Sequence, residues 1–523
     1  MSVSSVLAQV GANHVVPGNE IDKDLDLVAD VCVIGSGAGG AVLAAELAQA
    51  GRSVVMLEEG GHHTKREFDM QEGNMIPLLY QERGGRATAD QSCLILQGRC
   101  IGGTTVINYT TCFRTPDATL AHWKSRWGVE GLDPATLAPS WEKVEARLGI
   151  AEIRLDQVNK NNRVLWDGCE KLGWEKSLLS RNVRNCRHSG YCGMGCAFDA
   201  KLAMHVTYVL DALEAGARVY ANARVDQIER EGNRITAVYA TILDPKTDKP
   251  TGRTIRVKSK LTALCGGAVN NPKLLFKSKI TDGPLGKKTW FHPLAISVAE
   301  MPYRVEAFYG APQSVASHQF GNRGAGKMSY FIECAPTHPT LTSIGAPGIG
   351  DEHRKRMEQL PFLSAMYAHF IDGFADEEQG ATVTLTAAGN PKVVYHYTDA
   401  FWEAVTHAQK NLARIQLASG AKRVMTLHTD PVTIESEADL DKIDRAPLGP
   451  NKILLATAHL MGGCRMGADP KEAVVRSDLR HHQVENLYIV DGSVFPTGLG
   501  VNPSLTIYGL ATHAAKNIAA AAG

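Results

Sequence analysis

The first clear pattern in the chain is a pair of apolar runs separated by a glycine-rich and alanine-rich stretch. A short apolar run rich in β-branched residues spans 30–34, an alanine-rich segment spans 41–50, and a second apolar run at 53–57 ends at Glu58. Short runs of this kind predict buried strands, and the alanine-rich segment predicts a helix. Together they predict a βαβ unit with an acidic residue at the end of its second strand.

Three glycines mark the turn between the first predicted strand and the helix. Gly35 permits a tight turn, Gly37 lets the backbone approach a pyrophosphate, and Gly40 lets helix and strand pack closely. The helix N-terminus offers unpaired N–H groups to the phosphates. Glu58 is placed to accept hydrogen bonds from an adenosine ribose, which favours a free 2′-hydroxyl over a 2′-phosphate. The motif therefore predicts dinucleotide binding and leaves both NAD and FAD open.

Further elements are predicted far along the chain. Alternating and apolar patterns predict strands at 234–242 and 254–264, an amphipathic helix at 402–418, and a last strand at 486–490. A final helix is expected from about residue 503. Elements typical of a nucleotide-binding domain thus occur at both ends and in the middle of the chain.

This distribution predicts an α/β fold with a Rossmann-like nucleotide domain built from discontinuous segments. An inserted α+β substrate domain should contain an antiparallel sheet. The segments expected to form the nucleotide domain are 27–116, 215–285 and 450–523. Those expected to form the substrate domain are 117–214, which includes a cysteine loop at 186–196, and 286–449.

Composition narrows the classes of partner. The 55 basic and 55 acidic side chains give a formal net charge of zero, so nucleic acid is not an expected partner. The longest uncharged stretch is interrupted by Pro496 and Pro503, so no membrane span is expected. The N-terminal segment lacks the basic region of a secretory signal, and 11 cysteines are an odd number. These features predict reduced thiols and a cytoplasmic location.

Three later segments share a family resemblance. Residues 98–108 resemble the first signature of the glucose-methanol-choline oxidoreductases, and 267–275 are similar to the second. Residues 459–467, followed by 490–493 and 500–503, resemble the C-terminal active-site region of the family. The residues of these motifs most resemble those of the long-chain alcohol oxidase and cholesterol-oxidase-like branch. The resemblance covers nearly the whole chain and implies an FAD enzyme that oxidises alcohols to aldehydes or ketones.

The resemblance also implies roles for individual residues. His459 matches the catalytic base, which suits the proton chemistry of histidine, and Asn502 matches the group that orients the alcohol oxygen. Some relatives attach FAD covalently to a histidine where this chain has Ile107, so non-covalent FAD is expected. Pro503 begins the last helix, whose dipole would stabilise a reduced, anionic flavin. His292 is expected to be structural. The residues expected to contact FAD are Gly35, Gly37, Gly40, Glu58, Gly102, Gly103, Thr104, Asn108, Val225, Asp491, Gly492, Pro503 and Ser504.

Cys186, Cys192 and Cys196 lie close together in a glycine-rich loop. Thiolates are soft ligands and glycines permit tight wrapping, so a metal or a cluster is one interpretation. The spacing looks like that of bacterial FAD-dependent glucose and fructose dehydrogenases, and this likeness implies a [3Fe-4S] cluster. A structural thiol loop or disulfide, and a zinc site with His188 or a distant residue as fourth ligand, are the alternatives. The remaining eight of the 11 cysteines are expected to be packing residues.

We therefore expect FAD-dependent oxidation of an apolar primary or secondary alcohol, with a quinone, a cytochrome or dioxygen as electron acceptor. A cluster would make the protein a dehydrogenase, whereas a structural loop would leave an oxidase that produces hydrogen peroxide. A small partner subunit, with export alongside it, is compatible with the cluster. An NAD-dependent dehydrogenase is the alternative from another class, because the βαβ turn alone fits both cofactors.

Overall fold

The fold was obtained as a computed structural model, which describes residues 14–375 and 380–523. The strands are β1 (Leu25–Ile34), β2 (Val54–Leu57), β3 (Cys93–Ile95), β4 (Ile150–Glu152), β5 (Ser177–Leu178), β6 (Ser180–Asn182), β7 (Arg218–Tyr220), β8 (Ala223–Glu231), β9 (Arg234–Leu243), β10 (Pro250–Leu264), β11 (Thr289–Phe291), β12 (Leu294–Glu300), β13 (Val315–Ser317), β14 (Tyr330–Ala335), β15 (Leu363–Phe370), β16 (Ala381–Leu385), β17 (Pro391–Tyr395), β18 (Arg423–Thr426), β19 (Thr433–Ile434), β20 (Leu455–Thr457), β21 (Leu460–Gly462) and β22 (Leu487–Ile489). The α-helices are α1 (Ala38–Gln49), α2 (Glu72–Leu79), α3 (Asp117–Trp127), α4 (Pro134–Arg147), α5 (Lys160–Leu172), α6 (Tyr208–Glu214), α7 (Gly267–Lys277), α8 (Pro339–Gly345), α9 (Asp351–Glu358), α10 (Asp399–Ala418) and α11 (Ser504–Ala522).

The first sheet has a parallel part with the strand order β7-β2-β1-β10-β22. Val31 at its centre pairs with Val54 on one side and Leu261 on the other. A strand that is buried on both faces is apolar at successive positions, which explains the apolar run at 30–34. The hairpin of β8 and β9 continues the sheet in antiparallel fashion beside β10.

Helix α1 follows β1 and packs against α6 and α11. Its first turn lies so close to the sheet that a Cβ on Gly39 would come within 1.8 Å of the Val490 carbonyl oxygen, and one on Gly40 within 2.0 Å of the Gly35 oxygen. Only glycine allows this approach. The close packing predicted for Gly40 is therefore confirmed, and Gly39 shares the role.

A nine-stranded sheet has the order β19-β18-β12-β15-β14-β13-β5, with β20 beside β12 and β3 beside β20. Its neighbouring strands are antiparallel, except for β20 and β3. Ala295 and Ala299 of β12 belong to a core that includes Phe401 and Leu412 of α10. Because successive residues of a strand face opposite sides, the alternate positions of β12 face away from α10.

The predicted fold class is confirmed: a Rossmann-like parallel sheet is combined with antiparallel sheets in one chain. The first sheet draws its strands from the start, the middle and the end of the chain, as the discontinuous pattern predicted. Three short strands in segments assigned to the nucleotide domain depart from the expected division. Strands β3 and β20 pair in the nine-stranded sheet, and β21 pairs with β11 of the predicted substrate segment. The domain boundaries themselves stay a prediction.

Within the residues that the structure describes, no helix is both long and apolar enough to cross a bilayer.

Candidate active site

A cavity of about 1260 Å³ lies between the first sheet and the nine-stranded sheet. Most of the residues predicted to form the site line it. These are Gly35, Gly37, Glu58, Gly103, Thr104, Asn108, Val225, His459, Asp491, Gly492, Asn502, Pro503 and Ser504. Gly40 and Gly102 do not line the cavity. The N–H of Gly102 instead donates to the hydroxyl of Ser36, in the first glycine turn, at 3.0 Å.

One end of the cavity, which we call the nucleotide arm, is bounded by Gly35, Gly37, Glu58 and Val225. Gly37 occupies the N-cap position of α1 and offers no side chain to cap the helix. The first N–H groups of α1 therefore remain available for a phosphate. A Cβ on Gly103 would lie 2.8 Å from the Cα of Gly37, so two glycine-rich turns approach each other here. The nucleotide arm fits a dinucleotide with its pyrophosphate at this helix end.

Glu58 stands at the end of β2, as predicted. One of its carboxylate oxygens accepts from the backbone N–H (2.9 Å) and hydroxyl (2.7 Å) of Ser36, and the other accepts from the Gly60 N–H at 2.9 Å. Burial raises the pKa of Glu58. The side chain thus fixes the first glycine turn and also borders the nucleotide arm.

Asp491 holds together the elements below the middle of the cavity. One carboxylate oxygen accepts from the Gly267 N–H at 2.7 Å and from the Asn271 amide at 2.8 Å, and the other accepts from the Ser493 N–H at 2.8 Å. Burial raises the pKa of Asp491. These bonds join the start of α7 to the segment that leads into α11, whose N-terminus lies at the cavity.

His459 and Asn502, the two residues predicted to be catalytic, both line the cavity and lie next to each other. The Asn502 amide nitrogen lies 3.4 Å from Nε2 of His459 and 3.2 Å from Oε2 of Glu333. Glu333 on β14 is fully buried, and its Oε2 also accepts from Gln313 at 3.0 Å and contacts Nε2 of His369 at 3.1 Å. Its Oε1 has no hydrogen-bond partner in the described part of the chain.

The strands explain why these side chains converge. Glu333 pairs with Tyr367 of β15 across the nine-stranded sheet, so both lie at the same level beneath the cavity. His292 directly follows β11 and His459 directly precedes β21, and these two strands pair antiparallel with Phe291 opposite Leu460. The two histidines are therefore brought side by side, with their Nδ1 atoms 3.0 Å apart.

His292 determines which nitrogen of His459 bears a proton. The backbone N–H groups of Leu499 and Gly500 point at Nε2 of His292 (3.3 and 3.4 Å), so this nitrogen accepts. The proton of a neutral His292 then lies on Nδ1 and is donated to Nδ1 of His459. His459 consequently bears its own proton on Nε2, toward the cavity. The Asn502 amide nitrogen, 3.4 Å from this Nε2, then donates to Oε2 of Glu333 at 3.2 Å rather than to His459.

The pKa values of this cluster differ strongly. Burial raises the pKa of Glu333 to about 7. Burial, with the neighbouring His369, lowers the pKa of His459 to about 3, and burial lowers that of His292 well below its usual value. The histidines are therefore neutral at physiological pH, while Glu333 changes its charge close to that pH.

The other end of the cavity, which we call the apolar arm, is bounded by Leu294, Ile296, Val298, Leu363 and Met425. The first three are alternate residues of β12, on the face opposite α10. The period-two alternation of 294–300 is a signal from which this wall could have been predicted. Gln313, Glu333, Tyr367 and His369 had no comparable signal in the sequence.

The cysteine loop lies apart from the main cavity. Cys186, Cys192 and Cys196 border a small second cavity together with the buried Lys201. All 11 cysteines are free thiols, and the eight outside the loop are buried, as predicted for packing residues. Among the described residues, no group of three or more His, Cys, Asp or Glu side chains could hold a metal ion. The predicted iron–sulfur cluster and the zinc alternative therefore do not fit the described arrangement.

The fold and the site together indicate a nucleotide-binding oxidoreductase. Comparison with known proteins gives the family. Family models described as GMC oxidoreductase match residues 76–294 and 378–511, and one described as NAD(P)-binding Rossmann-like domain matches residues 33–68. The chain belongs to the GMC oxidoreductase family, which confirms the resemblance found in the sequence.

Individual relatives agree with this assignment. An uncharacterized GMC-type oxidoreductase of Mycobacterium tuberculosis is 30% identical over 94% of this chain and 76% of its own length. The long-chain-alcohol oxidase FAO1 of Arabidopsis thaliana is 27% identical over 95% of this chain and 68% of its own. Among solved structures, pyridoxine 4-oxidase from Mesorbium loti has a TM-score of 0.69 at 18% identity, covering 93% of this chain and 98% of the other. At this identity the structural likeness shows the fold alone.

Proposed function

We propose that the protein binds FAD without a covalent link and oxidises an apolar alcohol to the aldehyde or ketone, with dioxygen as electron acceptor. The observation that supports this most directly is the position of His459 and Asn502, between the nucleotide arm and the apolar arm. A substrate in the apolar arm would present its hydroxyl group to these two side chains. The long-chain-alcohol oxidases among the relatives support the choice of substrate class and acceptor.

FAD is favoured over NAD by the family and by the residues of the nucleotide arm. The N-terminus of α1 and the turn at Gly103 would hold the pyrophosphate, and Glu58 would face the ribose. Asn108 and the start of α11 would lie along the ring system. When bound, FAD supplies the acceptor for the hydride that leaves the alcohol carbon.

The chain itself handles the hydroxyl group. The Nε2–H of His459 and the Asn502 amide would bind the alcohol oxygen and stabilise negative charge on it. Glu333 would accept the hydroxyl proton through one water molecule, since a pKa of about 7 suits a base at neutral pH. A pKa of about 3 and a proton on Nε2 suit His459 to donation. The competing assignment is that His459 itself is the base that accepts the hydroxyl proton, as the family resemblance in the sequence implies.

The apolar arm indicates the substrate. The side chains named for it are apolar, although Glu300, Arg356 and Arg423 also line the cavity. This apolar wall favours an extended hydrocarbon chain over a sugar. Each CH₂ group buried there contributes about 0.8 kcal/mol to binding. The efficiency kcat/KM should therefore rise with chain length until the arm is filled.

The choice of dioxygen rests on the cysteine loop as well as on the relatives. Among the described residues, the loop has no group of side chains arranged to hold a metal ion. We therefore assign it a structural role and no part in electron transfer. The dehydrogenase with an iron–sulfur relay, and its partner subunit, remain the competing hypothesis.

The experiment is anaerobic purification followed by flavin spectroscopy and assay. We expect flavin absorbance near about 450 nm, reduction of the flavin by a long-chain alcohol, and one hydrogen peroxide per aldehyde after dioxygen is admitted. Bound iron with a paramagnetic signal, and turnover with artificial acceptors but no peroxide, would establish the dehydrogenase instead. Alcohol-dependent reduction of NAD⁺ to NADH by protein that carries no flavin would overturn the proposal.

A further inference from the structure

One segment, residues 339–359, contributes residues to the lining of the cavity and also faces solvent; we call it the entry flap. It comprises α8, a turn and α9. Neither helix contains a buried residue. Leu341 and Ile344 of α8 nevertheless border the cavity, so the entry flap is at once part of the cavity wall and part of the outer surface.

The entry flap exposes large aliphatic side chains. Leu341, Ile344 and Ile349 are 45%, 76% and 91% exposed, and Ile349 is the most exposed large hydrophobic residue in the described part of the chain. Ile349 stands at the tip of the turn between α8 and α9, between two glycines with positive φ (93° at Gly348 and 60° at Gly350). Exposed apolar side chains that cluster beside a binding cavity indicate a contact surface.

The entry flap is anchored at its base rather than at its tip. The Glu72 carboxylate accepts from the backbone N–H groups of Thr340 and Leu341 at 2.7 and 2.8 Å, which fixes the first turn of α8 to α2. Ser343 and His353 join the two helices at 3.1 Å. The turn that bears Ile349 projects from this base.

The charges of the entry flap cancel. Helix α9 has three acidic residues and three basic ones, which are Asp351, Glu352, Glu358, Arg354, Lys355 and Arg356. Most of them pair with one another, as in the Arg356–Glu352 and Arg354–Glu358 ion pairs. A face with no net charge offers no attraction to an anionic partner and suits a surface whose own charges cancel.

We propose that the entry flap docks on a lipid surface with zwitterionic headgroups, with Ile344 and Ile349 inserted among the acyl chains. The alcohol then passes from that surface directly into the apolar arm. This inference rests on the proposed function, because an apolar long-chain alcohol resides in lipid rather than in water. Burial of exposed aliphatic side chains at an interface supplies the attachment, and no membrane-spanning helix is needed.

The test uses the full-length protein with bound FAD and phosphatidylcholine vesicles. Wild type should float with the vesicles, to the same extent at low and high salt. Ile349→Glu should bind about tenfold more weakly, and the double variant with Ile344→Glu should not bind detectably. Val28→Glu is the matched control, since Val28 is an aliphatic residue of β1 that is 72% exposed; it should float like wild type.

Activity measurements separate the docking from the proposed function. Ile349 does not border the cavity, so Ile349→Glu should oxidise a short, water-soluble alcohol at the wild-type rate and a long-chain alcohol presented in vesicles about tenfold more slowly. Flotation without any alcohol oxidation would overturn the proposed function and leave the docking intact. Alcohol oxidation by a wild type that does not float, or equal flotation of Ile349→Glu, would overturn the docking.

The same samples also test two other possible partners of the entry flap. Binding only to phosphatidylserine vesicles, abolished by salt, would show an electrostatic contact and contradict the proposal. A wild-type dimer in sedimentation that Ile349→Glu converts to a monomer would assign the surface to a second copy of the chain and contradict it as well. Blue-shifted tryptophan emission of Ile349→Trp on vesicle addition, relative to wild type, would support insertion of the turn.

Discussion

Nδ1 of His292 lies 3.0 Å from Nδ1 of His459, and only one of these two nitrogens can bear the proton between them. Because backbone N–H groups occupy Nε2 of His292, the proton belongs to His292, and His459 presents Nε2–H to the cavity. A residue that sequence analysis expected to be structural thus sets the protonation pattern of the residue in direct reach of the substrate.

The first prediction concerns His292. His292→Phe removes the donor and retains an aromatic ring, so His459 is no longer held in one tautomer, and kcat should fall by about tenfold. His292→Asn can place an amide N–H near the former Nδ1 and should restore most of the loss. The ¹⁵N shifts of labelled histidine should show mixed tautomers of His459 only in the Phe variant. His396→Ala, at an exposed histidine directly after β17, is the control; unchanged kcat in His292→Phe would contradict the role.

A second prediction separates donation from proton acceptance at His459. Glutamine can place an amide N–H near the former Nε2 but cannot take up a proton, whereas alanine does neither. If His459 donates, His459→Gln should retain activity about tenfold or more above His459→Ala, with FAD bound in both. Equal loss in the two variants, by about 10² to 10⁴, would return the base role to His459.

Glu333 leads to a third prediction, on pH. The carboxylate must be ionised to accept a proton, and burial raises its pKa to about 7. The wild-type kcat/KM should therefore rise with pH and level off above about 7. Glu333→Gln should lose activity by about 10² and lose this limb of the profile. Persistence of the same limb in Glu333→Gln would show that another group accepts the proton.

Local sequence was enough to predict one part of this molecule and not the other. The β1–α1–β2 unit, with Glu58 at the end of β2, depends on contacts between neighbouring segments, so its residues specify it directly. Glu333 and Tyr367 share the site only because β14 and β15 pair in one register. His292 and His459 meet through the pairing of β11 with β21. The register between strands that are far apart in sequence is set by the whole sheet, and no local sequence pattern predicts it.

The fourth prediction tests the close approach of the two glycine turns. Gly103→Ala would place a Cβ 2.8 Å from the Cα of Gly37, at a φ of 53°. Gly51→Ala has the same kind of backbone strain, with a φ of 78°, but nothing lies within 4 Å of the added carbon. Both variants should lose about 1–2 kcal/mol of stability from the positive φ. Only Gly103→Ala should also bind FAD more weakly, by about tenfold or more, in a dialysis titration followed by flavin absorbance. Equal FAD affinity of both variants would show that the approach is not required.

The last prediction concerns Lys201, which joins the cysteine loop to the predicted FAD-contacting segment. Its buried amino group donates to the carbonyl oxygens of Cys192 and Asn108 at 2.7 and 3.0 Å, and to that of Val106. Burial lowers the pKa of Lys201 to about 8, below the value of 10.5 expected for the unfolded chain. Between these values the unfolded state binds more protons than the folded state, so the contribution of Lys201 to stability rises with pH across this window. The rise should be on the order of 3 kcal/mol, at about 1.4 kcal/mol for each pH unit.

Lys201→Met removes three hydrogen bonds and should lower the free energy of unfolding at pH 7 by about 2–3 kcal/mol. Urea denaturation at pH 7, 8, 9 and 10 should therefore show a gap between wild type and variant that widens with pH; a constant gap would mean that Lys201 stays protonated in the fold across this range and that its pKa is not lowered.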